Sequence, residues 1–213
     1  MSTRQEHLQA IAENFAGFKY FECEEEIKRA LKVGVPEPEI MKTLVSLCHQ
    51  ALKKYEQGEY CIPHLAASIS IFEMGSDLAK VEVTPKGKVV VCTLGSSHYL
   101  GKDIIGSLLA IDGFEVVDLG ELVSPEQVIE AVVREKPDIL VLSVLIVACL
   151  HLQKMTIQSL EAEGLRKEVK VMIGGSVTSE RWAREIAADA WAFNASGAIK
   201  EANRLMGVGC NEA

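Results

Sequence analysis

The sequence predicts an α/β protein in which a doubly wound parallel sheet follows an all-α helical bundle. Residues 1–80 contain apolar residues at helical spacing and no convincing strand. After them, Pro85 and Gly87 lie among charged residues, a composition typical of a linker between domains. Short apolar runs then alternate with amphipathic segments, which is the pattern of βα units. We therefore expect a helical-bundle domain at 1–80, a linker at 81–88 and an α/β domain at 89–213.

Four helices are predicted in the first domain. Apolar spacing places the first at residues 8–15 and lets the second continue to Gly34. A third covers residues 37–57, and a fourth begins near Pro63, a residue suited to the first helical turn, and extends to Ala79. Because the connections are short, we expect antiparallel neighbours in a small bundle.

Five strands alternate with helices in the second domain. The first is a Val- and Leu-rich run between Gly87 and Gly95, which indicates a strand buried on both faces. Ser124 is a predicted helix N-cap, with Pro125 at the first helical position and Gln127 completing a capping box. The other strands are expected at residues 114–120, 138–143, 169–173 and 191–193, and two further helices at 101–111 and 196–206.

The order of these strands determines which residues meet. Right-handed crossovers give a doubly wound sheet, for which we assume the common flavodoxin-like order 2-1-3-4-5. Strands 1, 3 and 4 are then neighbours. His98, Ser143 and the pair Gly174-Gly175 fall at the carboxyl ends of these strands. We expect them to line one crevice, which is where open α/β sheets bind ligands.

Composition and charge exclude several functional classes. A net charge of −8 and a pI near 5.2 argue against sequence-independent nucleic-acid binding. No apolar run reaches the roughly 18–20 residues of a membrane span, and the N-terminus lacks the apolar region of a signal peptide. The six cysteines are scattered without a Cys-x-x-Cys pair, so most should be small buried residues. We expect a cytoplasmic protein that contacts neither nucleic acid nor membrane.

His98 is compatible with three roles: a metal ligand, a general base or a hydrogen-bonded loop residue. The crevice favours the ligand, with Ser96 or Ser97 accepting the other ring N–H. A Ser143–His98 nucleophile pair is less favoured, because the chain has no Gly-x-Ser-x-Gly elbow and no evident third partner. No Gly-x-Gly-x-x-Gly motif or P-loop follows the first strand. Gly174-Gly175 either forms a tight turn or lets a ligand approach the backbone.

Taken together, these residues resemble a known signature. His98 to Lys102, Ser143 with Leu145, and Gly174-Gly175 are similar to Asp-x-His-x-x-Gly … Ser-x-Leu … Gly-Gly. This signature belongs to the cobalamin-binding corrinoid proteins of methanol and methylamine methyltransferase systems and to the cobalamin module of methionine synthase. Residues 58–63 also resemble the family's Gly-Glu-x-Phe-x-Pro turn in a helical cap, and residues 194–196 resemble a late segment that contacts the corrinoid.

The resemblance implies a cobalamin cofactor, as methylcobalamin in one state. His98 would be the lower axial ligand to cobalt and displace the cofactor's own dimethylbenzimidazole base. The tail would pass Ser143 and Gly174-Gly175, while the helical cap covers the upper face. Methyltransferases on the donor and acceptor sides would be the partners, and the chain itself would supply no catalytic residue. The cofactor-binding residues implied are Gly95, Ser96, Ser97, His98, Tyr99, Leu100, Gly101, Lys102, Ser143, Leu145, Val147, Gly174, Gly175, Ser176, Ala195, Tyr60 and Cys61.

Three residues depart from the family pattern. Ser96 replaces the Asp that polarises the ligand histidine, so we expect weaker binding of His98 to cobalt. Cys61 replaces an aromatic residue of the cap, and Val147 replaces a Thr that hydrogen-bonds the tail. Two alternatives to a methyl carrier stay open. One is a cobalamin sensor, store or chaperone without methyl transfer, and the other is a flavodoxin-like domain that binds no corrinoid.

Overall fold

The computed structural model describes residues 3–81 and 84–208. The chain divides into two compact units, residues 1–83 and 84–213. Residues 82 and 83 of the predicted linker and the last five residues of the predicted α/β domain lie outside the described part. Within that part, no helix combines the length and the apolar character needed to cross a bilayer.

Residues 3–81 of the first unit form four helices. Thr3 opens the first through a capping box with Glu6, because the Thr3 hydroxyl accepts the Glu6 backbone N–H and the Glu6 carboxylate accepts the Thr3 N–H. Pro63 lies in the first turn of the fourth, as predicted. The helices are α1 (Arg4–Ala16), α2 (Tyr20–Lys32), α3 (Glu37–Glu56) and α4 (Ile62–Ala79).

The second unit is a five-stranded parallel sheet with helices on both faces. Its strand order is β2-β1-β3-β4-β5, which confirms the predicted flavodoxin-like arrangement. The Ser124–Gln127 capping box is also present. The elements are β1 (Lys88–Thr93), α5 (Leu100–Ile111), β2 (Glu115–Asp118), α6 (Pro125–Glu135), β3 (Ile139–Ser143), a 3₁₀ turn (Val147–Cys149), α7 (Leu150–Ala162), β4 (Lys170–Gly174), α8 (Glu180–Glu185), β5 (Ala190–Ala192) and α9 (Ala195–Leu205).

Strand β1 shows why an uninterrupted apolar run forms the centre of this sheet. Successive side chains point to opposite faces of a strand. Val90 and Cys92 therefore pack into one apolar cluster and Val89 and Val91 into another, and all four are at most 1% exposed. Both faces of β1 are covered, which leaves the carboxyl edge of the sheet for ligands.

The cysteines are mostly buried, as predicted. Burial raises the pKa of the Cys48 and Cys92 thiols to about 12 and that of Cys23 to about 11, so these three remain protonated near neutrality. Cys61 is exposed, Cys149 is half-buried, and Cys210 lies outside the described residues.

Candidate functional site

The strand register brings the predicted crevice residues together. Thr93 is paired with Ser143, and Ser143 with Gly174, at the carboxyl ends of β1, β3 and β4. A cavity opens beside these strand ends on the α5 and α9 side of the sheet. Its lining is largely apolar and includes Val91, Lys102, Ser143, Gly174, Gly175 and Ala198.

His98 lies on the loop between β1 and α5. Its side chain is exposed, and no hydrogen bond or ion pair from the described residues reaches the ring. Its carbonyl oxygen accepts a hydrogen bond from the Thr93 hydroxyl, with an Oγ1–O distance of 3.3 Å. An exposed imidazole without a partner, on an anchored loop, is free to bind a metal.

Ser96 has the opposite environment. It is 4% exposed, and its Oγ atom is buried without a hydrogen-bond partner among residues 3–81 and 84–208, whereas Ser97 is exposed. A buried polar group without a partner costs about 1–3 kcal/mol. A histidine bound to a metal presents its other ring N–H to a neighbouring acceptor. The orphaned Ser96 hydroxyl, two residues before His98, therefore fits a site that is completed when a metal is bound.

The two glycines at the carboxyl end of β4 have different roles: Gly174 is the last residue of the strand, and Gly175 follows it. Gly175 has a φ of +111°, and a Cβ atom there would lie 1.9 Å from the carbonyl oxygen of Val144. Its lack of a side chain thus serves the close packing of two loops, which favours the tight-turn role for Gly175. A Cβ at Gly174 would only touch the carbonyl oxygen of Ala192 at 3.5 Å. Gly174 therefore keeps space open in the cavity.

Lys102 lines the same cavity, but its charge is already paired. Its side chain is 3% exposed, and its ammonium group contacts Asp103 at 2.6 Å and also Asp118. Burial lowers the pKa of Lys102, yet the hydrogen bonds to both carboxylates outweigh it and raise the pKa above its ordinary value. The charged ammonium thus ties the start of α5 to the end of β2.

The carboxyl edge also exposes a group of large apolar side chains. They follow the ends of β1, β2, β3 and β5, where a ligand would cover them, and such exposure is typical of a binding face. The group consists of Tyr99, Leu100, Leu122, Ile146, Val147 and Phe193, with Val147 69% and Phe193 83% exposed.

The other predicted residues of this unit lie near the same edge. Gly95 and Gly101 flank the His98 loop on the β1 and α5 sides, and Ser176 is exposed after β4. Leu145 is half-buried after β3, and Ala195, also half-buried, begins α9. The predicted set from this unit is thus gathered at one edge of the sheet.

Tyr60 and Cys61 belong to the helical unit, at the start of α4. The Cys61 Sγ atom lies 3.0 Å from Nδ1 of His64, and the Tyr60 ring stacks on the His64 ring with a centroid distance of 5.0 Å. The Phe18 ring contacts both the Tyr60 and His64 rings. These residues form a small cluster within that unit.

Two polar residues that shape the edge escaped the sequence analysis. Thr93, fully buried at the end of β1, contacts the His98 backbone as described. Gln153, fully buried on α7, donates to the Leu142 carbonyl at 2.9 Å and accepts from the Trp182 indole N–H at 2.9 Å. Both could have been found from the sequence in the same way. Each is a polar residue at a position that the apolar pattern of its strand or helix turns towards the core.

Comparison with known proteins now identifies the family. Residues 87–202 match the family model of the B12 binding domain. The chain belongs to this family. Dimethylamine corrinoid protein 2 of Methanosarcina acetivorans is 30% identical, over 97% of this chain and 99% of that protein. A corrinoid protein of Desulfitobacterium hafniense is 32% identical, over 72% of this chain and 75% of that protein.

Two solved structures of cobalamin-related proteins are similar to this chain in fold, in agreement with its membership of the B12-binding family. The methanol:cobalamin methyltransferase complex MtaBC from Methanosarcina barkeri has a chain with a TM-score of 0.83 and 25% identity, covering 95% of this chain and 80% of that one. The crystal structure of a cobalamin-binding protein from D. hafniense has a TM-score of 0.75 and 28% sequence identity, and the match covers 95% of this chain and 98% of that one. The predicted resemblance to corrinoid proteins is confirmed, and cobalamin is the cofactor. The alternative of a flavodoxin-like domain that binds no corrinoid is wrong.

Proposed function

We propose that this B12-binding protein uses His98 as the lower axial ligand and carries a methyl group between partner methyltransferases. The observation that supports this most directly is the exposed His98 imidazole at the carboxyl edge of the matched domain, which no other described residue pairs with. Bound cobalamin supplies a cobalt ion that accepts and donates a methyl group. Because the corrin macrocycle already surrounds the metal, one imidazole from the protein is sufficient as a ligand.

The residues around His98 have supporting tasks in this proposal. The Ser96 hydroxyl accepts the second ring N–H of His98, which fixes the tautomer of the imidazole. The cavity lined by Ser143 and Gly174 receives the cofactor's displaced base and its tail. Its apolar lining excludes water from that base, and the exposed apolar group at the edge contacts the macrocycle.

Separate methyltransferases are the proposed partners. The names of the relatives support this, since they are corrinoid proteins for dimethylamine or trimethylamine, and one solved neighbour is a methyltransferase complex. In this proposal the chain is a subunit that presents the methyl group, and no residue of it is assigned a catalytic step. Cytoplasmic residence stays a prediction.

Electron paramagnetic resonance on the protein loaded with hydroxocobalamin and reduced to cobalt(II) tests the ligand. We expect nitrogen splitting that changes from triplets to doublets when the protein carries ¹⁵N-histidine. His98→Ala should abolish this response, and His151→Ala, an exposed histidine on α7, should retain it. A wild-type spectrum without protein nitrogen, or a response that persists in His98→Ala, would contradict the proposed ligand.

The proposal also predicts a gain of function at Ser96. Because a carboxylate makes a ligating imidazole more electron-rich, Ser96→Asp should strengthen the bond between His98 and cobalt, by about tenfold in competition with free imidazole. The measurement is the absorption spectrum of the loaded protein as imidazole is added. Unchanged competition would show that Ser96 has no influence on the ligand.

Ser96 also favours a second function, a cobalamin sensor, store or chaperone without methyl transfer. A weakly held lower ligand suits release of the cofactor better than repeated turnover. Incubating the loaded protein with a ¹⁴C-methylated amine and methyltransferase fractions separates the two functions. Label that reaches an acceptor through the protein supports the carrier, whereas retained cofactor without label transfer supports the alternative.

A further inference from the structure

The His98 loop is attached to its surroundings unevenly. Its first half is clamped by the segment after β2, since the Gly95 N–H donates to the Val123 carbonyl at 3.3 Å and the Leu122 N–H donates to the Ser96 carbonyl at 3.0 Å. The second half, residues 97 and 98, has fewer contacts. In the described ranges 3–81 and 84–208, the Thr93 hydroxyl supplies the one hydrogen bond that joins these two residues to a strand.

Thr93 is itself rigidly held. It is fully buried at the end of β1, its N–H donates to the Gly120 carbonyl at 3.0 Å, and its carbonyl accepts the Val123 N–H at 3.1 Å. The Gly120 N–H in turn donates to Asp118, which is paired with Lys102. The hydroxyl that contacts His98 therefore belongs to a residue fixed through both of its backbone polar groups.

We propose that Thr93 is a positioning residue that fixes the backbone of His98 and so presents the imidazole for ligation. This inference rests on the proposed role of His98. A loop that is already ordered loses less conformational entropy when its side chain binds, so a preorganised ligand binds more tightly. Without the hydroxyl, residues 97 and 98 sample more conformations and the imidazole reaches the metal in only part of the molecules.

Thr93→Val removes the hydroxyl and keeps the shape of the side chain, and Thr93→Ser keeps the hydroxyl. Thr156→Val is the matched control, because Thr156 is also fully buried and its hydroxyl also donates to a carbonyl, that of Leu152 at 2.8 Å within α7. Thr93→Ala serves as a second hydroxyl-free variant if valine at this position prevents folding.

The first measurement is amide hydrogen exchange in the cofactor-free protein. In Thr93→Val the Tyr99 amide, which donates to the Ser97 carbonyl at 3.1 Å, should exchange about 2- to 10-fold faster, the range expected for the loss of one net hydrogen bond. Thr93→Ser and Thr156→Val should leave this exchange rate unchanged. Equal protection in Thr93→Val and wild type would overturn the proposal without any reference to the cofactor.

The second measurement is the nitrogen splitting at cobalt(II) in protein loaded with hydroxocobalamin. Thr93→Val should give a mixture with reduced protein-nitrogen splitting, and Thr93→Ser should restore the wild-type spectrum. If wild type shows no protein nitrogen, the proposed ligand fails. If wild type shows it and Thr93→Val retains it in full, only the positioning role fails.

Discussion

The two edges of the parallel sheet differ in how their polar groups are satisfied. At the amino edge, Lys88 pairs with Glu115 at 2.8 Å, and Arg166 pairs with Asp189 at 2.9 Å, so these charges are neutralised by ion pairs within the unit. At the carboxyl edge, neither the Ser96 hydroxyl nor the His98 ring has a hydrogen-bond partner in the part of the chain that the structure describes. The amino edge thus stabilises the unit, while the carboxyl edge leaves polar and apolar groups available for a ligand.

Two features of the carboxyl edge stabilise the fold instead: the Lys102–Asp118 ion pair and Gly175. Gly175→Ala should have the largest effect, a loss of about 3 kcal/mol or more in the free energy of unfolding, since its Cβ would overlap the Val144 backbone at a positive φ. Urea unfolding followed by circular dichroism measures it. Gly174→Ala is the matched control and should cost less than about 1 kcal/mol. Equal free energies of unfolding of the two variants would show that Gly175 is no more important for the fold than Gly174.

Asp189 tests whether a residue of the amino edge contributes to stability and not to cofactor binding. Its Oδ2 atom accepts the Val171 N–H at 2.7 Å and contacts Arg166, so Asp189→Ala should lower the free energy of unfolding by about 2 kcal/mol. Asp189→Asn retains an acceptor and should lose less. Neither variant should change hydroxocobalamin binding, measured by absorption titration. A weaker affinity in either would show that the edges are coupled.

The architecture follows from local patterns, and so could be predicted. The apolar run of β1 requires two covered faces, and the capping box at Ser124 sets the start of α6. The bounds of helix α7 were not predicted. Gln153 and Thr156 occupy fully buried positions on it, so the helical spacing of its apolar residues is interrupted in the sequence. Those polar residues are tolerated because carbonyls of other segments or of the helix itself accept their hydrogen bonds.

The site was predictable in its location and only partly in its chemistry. The place of His98 follows from the end of β1 together with the assumed strand order. The pairing of Lys102 with Asp118, the orphaned hydroxyl of Ser96 and the contact between Thr93 and His98 depend on how loops from different strands meet. No periodicity in the sequence encodes such contacts.

Gly174 tests whether the carboxyl edge binds the ligand in its cavity. Its Cβ would touch the protein only at the Ala192 carbonyl oxygen and would take up space in the cavity, so Gly174→Ala should weaken hydroxocobalamin binding by about tenfold, the effect of one added methyl group in a fitted pocket. Absorption titration gives the affinity, and the unfolding experiment above shows that the fold is intact. Wild-type affinity in this variant would place the tail outside the cavity.

Val147 should give the smallest effect and the most specific one. It is 69% exposed after β3, so Val147→Thr should leave the free energy of unfolding within about 0.5 kcal/mol. If the cofactor tail passes this residue as the family resemblance implies, the added hydroxyl should form a hydrogen bond to it and tighten hydroxocobalamin binding about threefold. Val133→Thr, on the exposed face of α6 and 57% exposed, is the matched control and should not change the affinity. Val133 lies away from the carboxyl edge. Tighter binding in Val147→Thr alone would therefore assign the gain in affinity to that edge. Equally tighter binding in both variants would mean that an added surface hydroxyl has this effect wherever it lies.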